Sequence, residues 1–144
     1  MNNPLFTLGV GLAVAALVAA GCGKDSPAGP SGTTTTTTAS FAAIQRDILT
    51  PSCESCHTDN GRSPAGGLNL KVGAAYPNLI GQASSAKAGA IRVVAGNPGG
   101  SYLVQKLEGA LDIVGLRMPR VGAPLSDAQV AIIRQWIQEG ALNN

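Results

Sequence analysis

Hydrophobic side chains recur at helical spacing near position 41 of this chain. Phe41, Ile44 and Ile48 would share one face of a helix over residues 41–49. Ser40 precedes them and is a residue type that caps helix N-termini. The pattern therefore predicts that a folded region starts close to residue 40.

A second helical pattern lies near the C-terminus and is the clearest in the sequence. Ser126 followed by Gln129 matches a capping box, in which each residue satisfies a backbone or side-chain group of the other. An apolar stripe with helical spacing and a terminating glycine follow: Val130, Ile133, Trp136, Ile137 and Gly140.

The segment between these helices carries shorter signals. A helix is expected over residues 101–108 and ends at Gly109. Residues 111–123 are expected to be irregular, with prolines at 119 and 124. Residues 76–81 and 86–94 could each hold a short helix. A brief alternation favours a short extended stretch at Leu68, Leu70 and Val72. No set of strands is sufficient for a sheet, so the predicted fold class is mainly α.

The chemistry of the chain is concentrated in Cys53-Glu54-Ser55-Cys56-His57, which includes its single histidine. Cys-x-x-Cys-His is the attachment signature of a c-type haem. The two thiols can form thioethers with the porphyrin vinyl groups, and the adjacent imidazole can ligate the iron. We expect one covalent haem c, with Pro51 opening the helical segment that carries it. The second ring nitrogen of His57 needs a partner, for which a backbone carbonyl of residues 59–67 is a candidate.

Elimination identifies a candidate sixth ligand of the iron. With one histidine, ligation by two histidines within the chain is impossible, and Met118 is the only methionine besides Met1. Pro119 favours an extended backbone at residue 118, which would help to aim the thioether. The alternative is that Met118 only packs in the core, as most methionines do.

Cys53 and Cys56 have three interpretations besides haem attachment. A structural zinc site needs four ligands, and three of the usual kind are available. A thioredoxin-like redox pair requires a βαβ setting, which the pattern does not predict. A chance match is the third alternative, because the motif is short.

Composition agrees with a domain that completes its core with a cofactor. The chain has 144 residues, 3% aromatic residues and 19 glycines, so a domain of roughly 100 residues would have a thin core of its own. The formal charge of +2 is too small to indicate nucleic acid as a partner.

Residues 1–21 have the apolar character of a signal peptide. Ala19-Ala20-Gly21-Cys22 resembles the lipobox of bacterial lipoproteins, which implies lipidation of Cys22. An ordinary cleaved signal and an uncleaved membrane anchor are the alternatives. Residues 22–40 are predicted to form a low-complexity tether, and residues 41–144 the folded domain. Each of these alternatives exports the domain, and we expect a membrane-tethered lipoprotein of the periplasm or outer surface of a bacterium.

Further short motifs occur in order along the domain: Gly66-Gly67-Leu68-x-Leu70, Tyr76-x-x-Leu79-Ile80-Gly81, Asn97-Pro98-x-x-Ser101-Tyr102-Leu103-x-x-Lys106-Leu107, Arg117-Met118-Pro119, Pro124-Leu125-Ser126 and Ile133-x-x-Trp136-Ile137-x-x-Gly140-Ala141. Together with the Cys-x-x-Cys-His motif, this series resembles the planctomycete-type cytochrome c domain, a branch of the class I-like mono-haem cytochromes c. The resemblance covers about residues 41–142. It implies a small helical fold wrapped around the haem, with His57 as the proximal and Met118 as the distal ligand, and separate redox donor and acceptor proteins.

The predicted function is single-electron transfer in an extracytoplasmic redox chain, with no enzymatic activity and no small-molecule substrate. The alternative is a haem-based sensor or a peroxidase-like enzyme in which Met118 is displaced, although no second histidine is available as a distal acid–base group. A third possibility is a domain that packs its haem against those of partner cytochromes. Trp136, Arg117 and Arg120 could contact haem propionates, or else serve helix packing and solvation.

Overall fold

The computed structural model describes residues 39–59 and 64–144. The predicted signal peptide, Cys22 and all of the predicted tether except Ala39 and Ser40 lie outside the described residues. Within the described ranges, no helix is long and apolar enough to span a membrane. In chain order the helical elements are α1 Phe41–Ile44, a π-helical turn Gln45–Leu49, α2 Thr50–Ser52, a 3₁₀ turn Ala65–Gly67, α3 Ala75–Leu79, α4 Tyr102–Glu108 and α5 Asp127–Gln138.

The mainly α fold class is confirmed for the described part of the chain. Extended pairing there is limited to isolated bridges, which join Ile80 to Val93, Ala83 to Ile91 and Ile91 to Ser101. Of the two segments that could hold a short helix, residues 86–94 contain none, whereas α3 overlaps residues 76–81.

The first helical run begins at Phe41 as predicted and continues to Ser52, three residues beyond the predicted end at residue 49. The Oγ of Ser40 accepts a hydrogen bond from the Ala43 N–H and caps α1. Pro51 lies inside a continuous run rather than at a new helix start. In a regular α-helix its ring would clash with the carbonyl of Asp47, and the wider π spacing just before it relieves that contact.

The predicted helical segment carrying Cys53, Cys56 and His57 is wrong in its conformation. α2 ends at Ser52, and Cys53 has φ −129°, outside the helical range. The Leu49 carbonyl accepts from the N–H groups of both Cys53 and Glu54, at 2.9 and 3.0 Å, so the helical ladder closes there. Turns follow and carry the motif.

The capping box of α5 forms as predicted. The Gln129 N–H donates to the Ser126 Oγ, and the Gln129 Oε1 accepts from the Ser126 N–H at 3.0 Å. The apolar stripe of α5 is buried: Val130, Ile133, Trp136 and Ile137. α5 packs against α4 and α1, and this arrangement forms the centre of the core.

The two ends of the described region are joined. The Phe41 N–H donates to the Asn144 side chain and the Ala42 N–H to the Asn144 carbonyl, each at 2.9 Å. Ala39 is buried in the core and its N–H donates to Glu139. Packing therefore begins by Ala39, two residues before the expected domain boundary at 41.

The middle of the domain is shaped by turns. Leu70 is buried, but Val72 is 68% exposed, because the chain turns at Lys71 and the short extended stretch ends before Val72. The predicted helix end at Gly109 is confirmed, with φ +74° in the left-handed range that favours glycine. Residues 111–123 form no helix or strand, as expected from the prolines at 119 and 124.

Candidate functional site

The Cys53–His57 segment forms a compact turn directly after α2. The Cys53 carbonyl accepts from the N–H groups of Cys56 and His57, at 3.2 and 3.0 Å. This arrangement brings two thiols and an imidazole onto one short segment, whose geometry is fixed by the preceding helix end.

The two cysteines differ in their surroundings. Cys53 is half-buried and packs against the core, whereas Cys56 is exposed, and both are free thiols. Burial, with a smaller contribution from the neighbouring Cys56, raises the pKa of the Cys53 thiol to about 11. The pair therefore consists of one thiol facing the protein and one facing solvent.

His57 has its ring orientation fixed by the backbone. Its Nδ1 lies 2.8 Å from the carbonyl oxygen of Ala65. Because a carbonyl can only accept, Nδ1 carries the hydrogen and Nε2 carries the lone pair. The expectation that a carbonyl of residues 59–67 serves as the partner of His57 is confirmed, and the residue is Ala65.

The 3₁₀ turn Ala65–Gly67 that supplies this carbonyl is held from both sides. The Ala65 N–H donates to the Cys56 carbonyl at 3.2 Å, and the Ser85 hydroxyl donates to the Gly66 carbonyl. The Arg92 guanidinium donates to the Gly67 carbonyl at 3.0 Å. A hydrogen-bonded shell therefore supports the acceptor of His57.

Arg92 was not predicted from the sequence. Its Nη1 also donates to the carbonyl of Asn78, at 2.9 Å, so that one guanidinium joins the turn to α3. Burial lowers the pKa of Arg92 from its ordinary value. No local pattern marks this residue, because its partners lie 14 and 25 positions away.

Met118 lies on the irregular segment after α4 and is half-buried. Its N–H donates to the Lys106 carbonyl at 2.8 Å. Met118 and Cys53 both pack against the same hydrophobic core. The structure thus brings Cys53, Cys56 and His57 onto one turn, while Met118 comes from a different segment and shares the core with Cys53.

Apolar side chains are exposed on the segment around Met118. Leu111, Val114, Leu116 and Val121 are all solvent-exposed in the protein fold. Such a concentration of exposed large hydrophobic residues typically marks a surface that contacts another apolar group.

The structure gives the surroundings of Trp136, Arg117 and Arg120, the three candidates for contact with haem propionates. Trp136 is 1% exposed and donates from Nε1 to the Leu142 carbonyl at 2.8 Å, so its N–H is used within the protein. Arg117 donates from Nε to the Leu107 carbonyl at 2.6 Å, and Arg120 is exposed.

The donor set fits a covalent haem c. No group of three or more His, Cys, Asp or Glu side chains forms a metal cluster in the described part of the chain, and the donors are instead two thiols, an imidazole and a thioether. The lone pair of His57 Nε2 can bind iron, and thiols at this spacing suit the two vinyl groups.

No protein-family model matches this chain, and no curated protein or solved structure shows significant similarity to it.

Proposed function

We propose that this chain is a mono-haem c-type cytochrome that transfers single electrons in an extracytoplasmic redox chain. Cys53 and Cys56 would hold the porphyrin as thioethers, His57 Nε2 would be the proximal iron ligand and Met118 the distal ligand. The chain has one Cys-x-x-Cys-His motif, which supports one haem.

The observation that carries the proposal is the hydrogen bond from His57 Nδ1 to Ala65. A ligating histidine typically donates its other N–H to a carbonyl or carboxylate, which fixes the tautomer and the ring plane. In this protein the Nδ1 of His57 donates to the Ala65 carbonyl, and His57 lies on the same turn as both thiols.

The segment around Met118 gives independent support. Its exposed leucines and valines, Leu111, Val114, Leu116 and Val121, offer an apolar surface that a porphyrin would cover. The aromatic-poor composition points the same way, because a bound porphyrin would add a large apolar group to a thin core.

The assignment to electron transfer follows from the ligand types. A bound haem supplies a one-electron redox centre, and His/Met ligation raises its potential. With His57 and Met118 in both axial positions, no coordination position of the iron would be open to a substrate. The protein would therefore act as an electron carrier between separate donor and acceptor proteins. Lipidation at Cys22 would tether the carrier to a bacterial membrane outside the cytoplasm.

Covalent attachment is the test of this proposal. Haem-stained denaturing gels after acid–acetone extraction should show haem on the wild-type polypeptide and none on the double variant Cys53→Ala/Cys56→Ala. The matched control is Cys22→Ser, which should retain the stain because both attachment thiols remain. Extraction of all haem from the wild-type protein into acetone would overturn the proposal.

A further inference from the structure

One lysine contacts the Met118 segment at three backbone groups. The Lys106 Nζ donates to the carbonyls of Val114 and Leu116, at 2.9 and 2.5 Å. The Lys106 carbonyl accepts from the Met118 N–H at 2.8 Å. A single residue of α4 therefore forms hydrogen bonds with Met118 and with two of the four residues that precede it, Val114 and Leu116.

Apart from Lys106, a few side chains hold this segment, among them Lys87, which forms an ion pair with Asp112. Residues 109–126 contain no helix or strand, and a connection of that length has many alternative conformations. Two further contacts to α4 assist: the Tyr102 hydroxyl accepts from the Val114 N–H at 2.9 Å, and Arg117 donates to the Leu107 carbonyl. The α4 residues of these two contacts, Tyr102 and Leu107, lie on the same helix as Lys106.

The charge of Lys106 makes it well suited to hold the segment before Met118. Its ammonium group carries three donors, and hydrogen bonds from a charged donor are stronger than those between neutral groups. No carboxylate forms a salt bridge with Lys106 in the part of the chain that the structure describes, so its side-chain hydrogen bonds go to loop carbonyls.

We infer that Lys106 is a positioning residue that holds the Met118 thioether at the iron and keeps the sixth coordination position closed to external ligands. The inference rests on the proposed function. Without the ammonium, the loop would sample conformations in which Met118 moves away, and the fraction of open iron would rise.

The test compares Lys106→Met with Lys106→Arg in the purified, haem-loaded full-length protein. Met keeps the unbranched shape of lysine, one atom shorter and without its donors, and Arg keeps the charge and the donors. The control is Lys71→Met, at an exposed lysine for which no side-chain hydrogen bond or ion pair is present among the described residues. Two signals are followed: the far-red thioether-to-iron charge-transfer band of the ferric protein, and the rate of carbon monoxide binding to the ferrous protein.

We expect Lys106→Met to lose part of the band and to bind carbon monoxide about tenfold faster, because loss of two charge-assisted hydrogen bonds favours the open form. Lys106→Arg should retain most of the wild-type behaviour, and Lys71→Met all of it. A residue with only a structural role would lower stability without moving either signal in the folded protein.

Each contrary result has a distinct meaning. A wild-type band and carbon monoxide rate in Lys106→Met would overturn the inference and leave the proposed function intact, and so would equal losses in Lys106→Met and Lys106→Arg. A wild-type protein without the band would overturn His/Met ligation itself. If Lys106→Met does not accumulate, Lys106→Gln, which keeps one short donor group, should show an intermediate band. An unchanged band in Lys106→Gln would then overturn the inference.

Discussion

The Arg92 guanidinium donates to the carbonyl oxygen of Gly67 over 3.0 Å and thereby holds the turn whose Ala65 carbonyl accepts from His57. The same guanidinium reaches the Asn78 carbonyl at 2.9 Å. The orientation of the His57 imidazole thus depends on the side chain of Arg92, which lies 35 residues further along the chain (92 − 57).

Replacement of Arg92 by lysine should affect both stability and redox potential. A lysine ammonium lacks the planar fork that reaches two carbonyls, so the free energy of unfolding should fall by about 1–2 kcal/mol. The turn would loosen and weaken the hydrogen bond from His57. A less electron-donating imidazole stabilises ferric iron less, so the reduction potential should rise.

Potentiometric titration and denaturant unfolding of the haem-loaded protein measure these two effects. The matched control is Arg46→Lys, because the exposed Arg46 pairs only with its exposed neighbour Asp47 in the described structure. An Arg92→Lys protein with the potential and stability of wild type would show that the turn does not depend on Arg92.

Trp136→Phe should lower the free energy of unfolding by about 2 kcal/mol and leave the haem spectrum unchanged. The substitution removes the hydrogen bond to Leu142 and part of the packing against Phe41, whose ring centroid lies 5.2 Å away. Denaturant unfolding and visible absorption are the measurements. A shifted potential with unchanged stability would instead assign Trp136 to the haem environment.

Cys22→Ser tests the anchor, which lies outside the described residues. If Cys22 is lipidated, the variant should be processed differently and leave the membrane fraction. Inhibition of lipoprotein signal peptidase should instead keep wild type in the membrane fraction as a larger precursor. Immunoblots of fractionated cells give the answer. Unchanged size and membrane association would indicate an uncleaved apolar anchor.

The parts of the fold that the sequence predicted are those set by local chemistry. The Ser40 cap, the capping box of Ser126 and Gln129 and the helix end at Gly109 each depend on contacts within a few residues. The prediction failed at Pro51, where a π turn allowed a continuous helical run instead of a new helix start.

The candidate donor residues could be predicted from the sequence, but the side chains that position them could not. The spacing of Cys53, Cys56 and His57 is a local motif, and a carbonyl partner for His57 follows from general ligand geometry. The roles of Arg92 and Lys106 depend on where loops fold back on the domain, over separations of 8 to 26 residues. Sequence periodicity carries no information on such contacts.

The central claim is that His57 and Met118 both bind the iron, which makes the protein an electron carrier, and the spin state measures it most directly. Absorption and magnetic spectra of the wild-type protein should show low-spin iron in both oxidation states, the far-red thioether band in the ferric form and poor binding of carbon monoxide. Met118→Ala should abolish the band, open the iron to carbon monoxide and lower the reduction potential. A wild-type protein that is high-spin and binds carbon monoxide readily would contradict the account and indicate an open iron suited to sensing or catalysis.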